Sequence, residues 1–344
     1  MKLQISTDAV CAFAGLAISA RVVCGTLIDM PELLNAGWIA AILGALFALP
    51  PMIAVRCCKQ NSVQPSKLIC GVFCAIAICD AAVASSSIAD SASYMALNTT
   101  PAVYLMFPQL ALCLFCLRLN GDALGTSAGI WRRILPWLLL IVIFLQAKDY
   151  RPEWLTPILG PGIPTILSGA LRIAGWFTLP VGLYLIAEPG IAGKPSLLRP
   201  LKTLGISSGF AILICLIFSM TTPAITDSNL YTRAFRLDAL LANGRTGLAQ
   251  QLPSIALWYL GLFYALLFDL FIAVAMLQRI RPDWNRHTCI WITLIVTGIL
   301  GADSLSGRTA SLRLADWLYP AQSILLAITM IIPLLKKKGA DLHA

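Results

Sequence analysis

The chain has 344 residues, of which 58% are hydrophobic and only 12% are charged. Soluble domains carry about 25% charged residues, so this composition cannot cover a water-exposed surface and excludes a soluble protein. The formal net charge of +9 would suit nucleic-acid binding. The positions of the basic residues along the chain, described below, indicate a membrane topology instead.

Ten apolar runs follow one another along the chain, each close to the roughly 20 residues that cross a bilayer as a helix. Because little sequence remains between them, we predict a single all-α integral membrane domain over residues 1–344, in contact with the lipid bilayer. The predicted spans are 8–28, 36–56, 68–95, 101–118, 131–147, 165–187, 204–222, 252–278, 288–303 and 318–335.

The Lys and Arg residues are distributed unequally between the two sides of this arrangement. With a cytoplasmic N-terminus, the inner segments hold 16 of the 25 basic residues and the outer segments hold 7. An excess of Lys and Arg marks cytoplasmic loops, so both termini are predicted to be cytoplasmic and no nucleic-acid partner is needed. The first span also has features of a signal peptide, but Asp8 in the would-be basic region argues against that interpretation.

Spans 1 and 6 each carry one arginine inside an apolar run. Span 1 reads AFAGLAISARVVCGTLIDMPEL and contains Arg21, and span 6 reads SGALRIAGWFTLPVGLYLIAEP and contains Arg172. At about 1.5 Å per residue, both arginines fall in the outer half of a core roughly 30 Å thick. Each arginine alone could simply extend outward to the interface. Their matching depths instead favour a shared polar site, which we predict at Arg21, Gly25, Arg172 and Gly175.

Ten spans also allow an inverted repeat of five plus five helices. In secondary transporters with such repeats, interrupted segments at matching positions of the two halves mark the binding site. Pro180 in span 6 lacks the N–H that a helix interior needs. We therefore predict that spans 1 and 6 are discontinuous helices.

Three aspartates lie inside predicted spans, where a carboxylate is costly and usually faces the bundle interior. Span 3 carries Asp80 and Asp90 on either side of a serine cluster, and span 8 carries Asp269. At about 100° per residue, Asp80 and Asp90 point about 80° apart and need not share a partner. Two interpretations stay open for these residues: a structural salt bridge to an arginine, and a proton or cation site.

The sequence gives little support to catalysis or metal binding. Cys113 and Cys116 have metal-ligand spacing, but no histidine or second cysteine pair accompanies them, so packing is the favoured role. The histidines, His287 and His343, lie at or beyond span ends, which argues against a histidine proton relay inside the membrane. We predict no enzyme activity, no metal and no cofactor.

Residues 223–251 are predicted to form an outer loop with a short amphipathic helix.

Three stretches resemble the endospore germination permeases, the membrane B subunits of spore germinant receptors. ISTDAVCAFAGLAISA…MPELLNAGW (5–38) is similar to the opening segment of that family. WLTPILGPGIPTILSGAL (154–171) and NGRTGLAQQLPSIALWYLG (243–261) are similar to the approaches to its sixth and eighth spans. The resemblance implies the LeuT-like inverted-repeat fold of the amino acid/polyamine/organocation superfamily. One departure stands out: SARVVCG (19–25) places Arg21 where the family has a glycine-rich break.

Two functions follow from these observations. The resemblance implies a permease-like subunit of a spore germinant receptor, sensing a small nutrient such as an amino acid and signalling to partner subunits in the inner spore membrane or cell membrane. The alternative is an ion-coupled secondary transporter of amino acids or related solutes, with Asp80, Asp90 or Asp269 as the coupling group. A purely structural membrane subunit, in which the intramembrane charges pair with one another, is a third interpretation.

Overall fold

The computed structural model describes the protein as a bundle of α-helices. It describes residues 7–28, 33, 35–60, 66–95, 99–119, 121–146, 151–156, 158–186, 198–221, 247–306, 318, 321–322, 324–325 and 328. Within these ranges the helices are α1 (Thr7–Ile28), α2 (Gly37–Gln60), α3 (Lys67–Met95), α4 (Ala102–Arg118), α5 (Gly121–Gln146), α6 (Ile163–Trp176), α7 (Thr178–Ile186), α8 (Leu198–Thr221), α9 (Gly247–Ile280) and α10 (Arg286–Ser306). A short 3-10 helix, Pro152–Leu155, precedes α6.

Several of these helices are long and apolar enough to cross a membrane. Lys67–Asp90, Ile163–Tyr184 and Tyr259–Ile280 meet this criterion singly. A fourth candidate span is formed by two helical segments together, Ala102–Arg118 and Gly121–Leu135. Their axes differ in direction by 116°. Ala9–Val22, Gly37–Pro51 and Leu201–Ile217 are shorter apolar helices. The described helices therefore form a multi-pass membrane bundle, and the count of ten spans stays a prediction.

Helix α5 begins ten residues earlier than the predicted fifth span. The sequence of its first turns is polar, with Asp122, Thr126 and the pair Arg132–Arg133, and therefore reads as a loop. In the structure these residues are helical. Arg132 is half-buried and donates a hydrogen bond from its Nη1 to Oγ1 of Thr203 on α8, at 3.3 Å. In the first turns themselves, Leu124 and Ala128 are buried, and α5 packs against α1.

The predicted interruption of span 1 is wrong, whereas that of span 6 is present. Helix α1 continues without a break through Arg21 to Ile28, because no glycine or proline lies between Leu16 and Cys24 to end it. Span 6 divides into α6 and α7 at Phe177. Pro180 has no N–H to donate to the carbonyl four residues earlier, which explains why the helix cannot continue regularly there.

The core of the bundle is built around α3 and α9, the pair in most extensive contact. Small, fully buried residues such as Ala77, Ala81, Ala265 and Ala273 let the two backbones approach closely. Such small-residue faces are typical of helix pairs in membranes, where burial of apolar surface gives little drive for association. Helix α1 packs against α5, α8 and α9, so one side of it faces this central pair.

Glycines mark two further close approaches between helices. A Cβ added at Gly125 on α5 would lie 2.2 Å from Cβ of Ala9 on α1. A Cβ added at Gly44 on α2 would lie 2.7 Å from Cγ2 of Ile173 on α6. Any larger residue at these positions would push the helices apart. Most of the outer loop predicted for 223–251, with its amphipathic helix, and most of the tenth predicted span lie outside the described residues. Residues 247–251 of that loop instead begin α9.

Candidate functional site

The centre of the bundle holds a buried cluster of three charged side chains from three helices. Arg21 of α1 forms an ion pair between its Nη1 and Oδ1 of Asp80 on α3, at 3.1 Å. Its Nη2 donates to Oδ2 of Asp269 on α9. The same Nη2 also donates to the backbone carbonyl oxygen of Asp80, at 3.1 Å. We call Arg21, Asp80 and Asp269 the charged cluster.

The charged cluster is almost completely removed from solvent. The exposed fraction of the side chain is 10% for Arg21, 3% for Asp80 and 4% for Asp269. Electrostatic attraction is strong in such an environment, but each charge has also lost its hydration, so a buried ion pair contributes little net stability. Removal of Arg21, in contrast, leaves two buried carboxylates without a counter-charge and is strongly destabilising.

Neighbouring polar groups extend the cluster along α3. The fully buried side-chain amide of Gln322 faces the Asp80 carboxyl group. Further along α3, Nε2 of Gln109 on α4 donates to the carbonyl oxygen of Ser85 at 2.8 Å and to its hydroxyl at 3.0 Å. Gln322 and Gln109 are not evident from the charged residues of the sequence, although each is a lone amide inside an apolar run and is recognisable on that ground.

The structure brings together only some of the predicted site residues. Arg21, Asp80 and Asp269 meet, as the salt-bridge interpretation requires. Asp90 lies ten residues beyond Asp80 on α3, about 15 Å along the axis, and is half-buried with interactions of its own. Arg172 is half-buried on α6 and also has its own interactions. Arg21 therefore contacts two carboxylates, and the polar site predicted to be shared by Arg21 and Arg172 stays a prediction.

The two predicted glycines lie in different surroundings. Gly175 is buried at the end of α6, where the N–H of Phe177 contacts its carbonyl oxygen and that of Ala174. It therefore belongs to the interruption of span 6. Gly25 lies one turn beyond Arg21 within the continuous helix α1. Phe177 is itself fully buried, so the interruption lies in the interior of the bundle.

A second polar layer surrounds the first half of α1. Oγ of Ser19 donates to the carbonyl oxygen of Gly15 at 2.8 Å and also contacts that of Ser207 on α8, at 3.3 Å. The hydroxyl of Tyr184 on α7 donates to Sγ of Cys11, at 3.3 Å. Helices α5, α7 and α8 are thus tied around this half of α1, together with the Arg132–Thr203 contact described above.

No protein-family model and no curated protein matches this chain. Solved structures do. MhsT in complex with L-phenylalanine superposes with a TM-score of 0.66 at 14% identity, covering 97% of this chain and 89% of that one. A manganese transporter of Eremococcus coleocola superposes with a TM-score of 0.56 at 14% identity, covering 96% and 79%. The predicted all-α, LeuT-like fold is thereby confirmed, and these neighbours are transporters rather than enzymes.

Proposed function

We propose that the protein is an ion-coupled secondary transporter of a small solute, with amino acids and related compounds as the solute class. The observation that carries the proposal is the charged cluster at the centre of a LeuT-like bundle. Charged side chains inside a membrane are costly and usually mark the path of an ion or substrate. Two solved structures of this fold belong to transporters, one of them bound to an amino acid.

The interruption at Phe177 lies at nearly the same level as the charged cluster. Gly182 of α7 faces the ring of Phe73 on α3, which fixes the relative height of the two helices. In the predicted topology α7 runs antiparallel to α3. Phe177 lies five residues before Gly182, and Asp80 lies seven residues after Phe73. In antiparallel helices these two steps run in the same direction, so Phe177 and Asp80 differ in height along the helix axes by only about 3 Å.

This coincidence supports a solute site between α1 and the junction of α6 and α7. The interruption is short, since the N–H of Phe177 donates to Ala174 and its carbonyl oxygen accepts from the N–H of Val181 at 3.3 Å. Pro180 nevertheless withholds one backbone N–H there, and interrupted helices mark the solute site in transporters with inverted repeats. Helix α1 contacts both α6 and α7. In this proposal Gly175 and Phe177 flank the solute site, while Arg21 acts through the carboxylates rather than by direct contact with the solute.

Uptake by reconstituted protein tests the proposal. The purified chain is placed in liposomes, and accumulation of a mixture of labelled L-amino acids is measured with an imposed proton gradient, a sodium gradient or no gradient. We expect gradient-dependent accumulation of at least one component. Asp269→Asn should abolish the gradient dependence, whereas Asp283→Asn, in the exposed turn before α10, should not. A wild-type protein that accumulates no component under any gradient contradicts the transport proposal.

A spore germinant-receptor subunit is the second candidate function, supported by the three resembling stretches of sequence. Two structural features are compatible with sensing rather than flux: α1 is unbroken, and the Arg21 guanidinium is already occupied by two carboxylates. A sensor should bind its nutrient without moving it. An L-amino acid that raises the thermal stability of the purified protein, but is not accumulated by liposomes, would favour this candidate. Co-purification with further receptor subunits from a spore-forming host would identify the assembly.

A further inference from the structure

The charged cluster contains one more acidic group than basic group. Arg21 supplies one positive charge, and a guanidinium does not release its proton in a protein. Asp80 and Asp269 would supply two negative charges if both were ionised. The fully ionised cluster would then carry a net charge of −1 in a volume where no side chain is more than 10% exposed. Burial of such an unbalanced charge is strongly unfavourable.

No other charged side chain described around the cluster offsets this excess. Arg21 is the one basic group acting on both carboxylates, and the remaining neighbour of Asp80 is the neutral Gln322. Cys79, next to Asp80, is a thiol and adds no positive charge.

The cysteines on the helices packed against α1, α3 and α9 add no positive charge. The other charged, histidine and tyrosine residues on these helices lie nearer helix ends, are exposed, or are held in other contacts. They are Arg56 and Lys59 on α2; Tyr104 and Arg118 on α4; Asp122, Arg132 and Arg133 on α5; Arg172 on α6; Tyr184 on α7; Arg199 and Lys202 on α8; and Arg286, His287 and Asp303 on α10. On α9 itself, Tyr264 contacts Ser127 and Arg279 lies in the last turn. Asp90 and Cys70 share α3 with Asp80 but lie about 15 Å from it along the axis.

The excess charge can be removed by a cation, and the packing of the cluster restricts which cation fits. Both carboxylates already contact the guanidinium of Arg21, and both are nearly inaccessible to solvent. A sodium ion needs several oxygen ligands at fixed distances and room to hold it, as hard cations generally do. A proton adds no volume and needs only one carboxylate oxygen. Two carboxylates held by one guanidinium therefore form a site suited to a single shared proton.

We propose that the charged cluster is a proton-binding site, in which Asp80 and Asp269 together hold one proton, and that this proton is the ion coupled to solute movement. The second part of this inference rests on the proposed transport function. The proton comes from water on one side of the membrane and forms an O–H bond with a carboxylate oxygen. The donor is a hydronium ion, whose O–H bond breaks as the carboxyl O–H bond forms. When the cluster opens to the other side, the carboxyl O–H bond breaks and a water molecule there accepts the proton.

Infrared spectroscopy of the reconstituted protein tests proton binding without any solute. A protonated carboxyl group has a C=O stretching band that is separate from carboxylate bands and shifts in D₂O. We expect one such band in the wild-type protein near neutral pH, and its loss in both Asp80→Asn and Asp269→Asn. Each of these variants retains one arginine and one aspartate, a neutral pair that needs no proton. Asp283→Asn removes an exposed carboxyl group and should leave the band unchanged.

The possible outcomes separate this inference from the transport proposal. A wild-type spectrum without the band overturns proton binding, even if liposomes accumulate amino acids. Retention of the band in either folded Asn variant also overturns it, because a neutral pair would then hold the proton. Only one of the two variants has to fold for this comparison. The band together with sodium-driven uptake overturns the coupling role, whereas the band without any uptake leaves proton binding supported and the transport proposal contradicted.

Discussion

Replacement of Arg21 by methionine is expected to destabilise the protein more than replacement of either aspartate. Arg21→Met removes the only positive charge of the charged cluster and leaves Asp80 and Asp269 facing each other in a buried volume. Asp80→Asn or Asp269→Asn, in contrast, leaves a neutral arginine–aspartate pair. We therefore expect the wild type to be the most stable, the two Asn variants to be less stable, and Arg21→Met to be the least stable.

The magnitude follows from the contacts of the guanidinium. An ion pair at about 3 Å has a Coulomb energy of about 5 kcal/mol at an effective dielectric constant of about 20, most of which offsets the loss of hydration. Breaking a buried pair by removing one partner costs about 3–5 kcal/mol, and we expect this loss for Arg21→Met. Loss of one charged hydrogen bond costs about 1–3 kcal/mol, which we expect for each Asn variant.

Thermal unfolding in detergent measures this order. A thiol-reactive fluorophore reports unfolding because Cys113 and Cys289 are fully buried in the folded protein. The triple variant Arg21→Met/Asp80→Asn/Asp269→Asn carries no charge in the cluster and should recover at least half of the stability lost in Arg21→Met. If Arg21→Met is as stable as wild type, or the triple variant is no more stable than Arg21→Met, the electrostatic account of the cluster is wrong.

Three further predictions concern the helices that position the cluster. Gly125→Ala should lower stability by about 1–3 kcal/mol, because its Cβ would overlap Ala9; Gly129→Ala, whose Cβ would lie at an ordinary 3.6 Å from its neighbour, serves as the matched control in thermal unfolding. Arg286→Ala should cost about 1–2 kcal/mol, because Nη2 donates at 2.8 and 2.7 Å to two carbonyl oxygens at the end of α4; a lysine there should recover only part of the loss. Pro180→Ala should join α6 to α7, raising thermal stability while lowering amino acid uptake by liposomes. If the helix becomes continuous and uptake is unchanged, the interruption is not part of the solute site.

The individual members of the charged cluster were predictable from sequence, but their pairing was not. A charge inside an apolar run is visible at once, so Arg21, Asp80 and Asp269 are found by inspection of the spans. Arg21 contacts residues 59 and 248 positions away in the chain. Which faces of such distant helices meet depends on the packing of the whole bundle. Depth along the helix axis suggested a site shared by Arg21 and Arg172, but depth alone contains no information about the direction of a side chain.

The local sequence indicated the helix break in span 6 but did not itself indicate one in span 1. Pro180 indicates the interruption of span 6 through a direct physical effect, the loss of one donor. For span 1 the break was inferred from a counterpart helix and from the fold of the resembling family. The residues between Leu16 and Cys24 do not themselves interrupt a helix, and α1 is continuous. The residues of a segment were therefore a better guide to its continuity than the symmetry of the two halves.

The difference between α1 and the α6–α7 pair also indicates how the two halves can divide their tasks. At Phe177 the helix is interrupted, and interrupted helices mark the solute site in transporters with inverted repeats. At the corresponding depth α1 has an intact backbone and presents a guanidinium instead, held by carboxylates from α3 and α9. In the proposed mechanism, movement of α1 away from α3 and α9 would separate Arg21 from one carboxylate. The remaining buried charge would then change its affinity for the proton, which links the motion of one helix to proton binding.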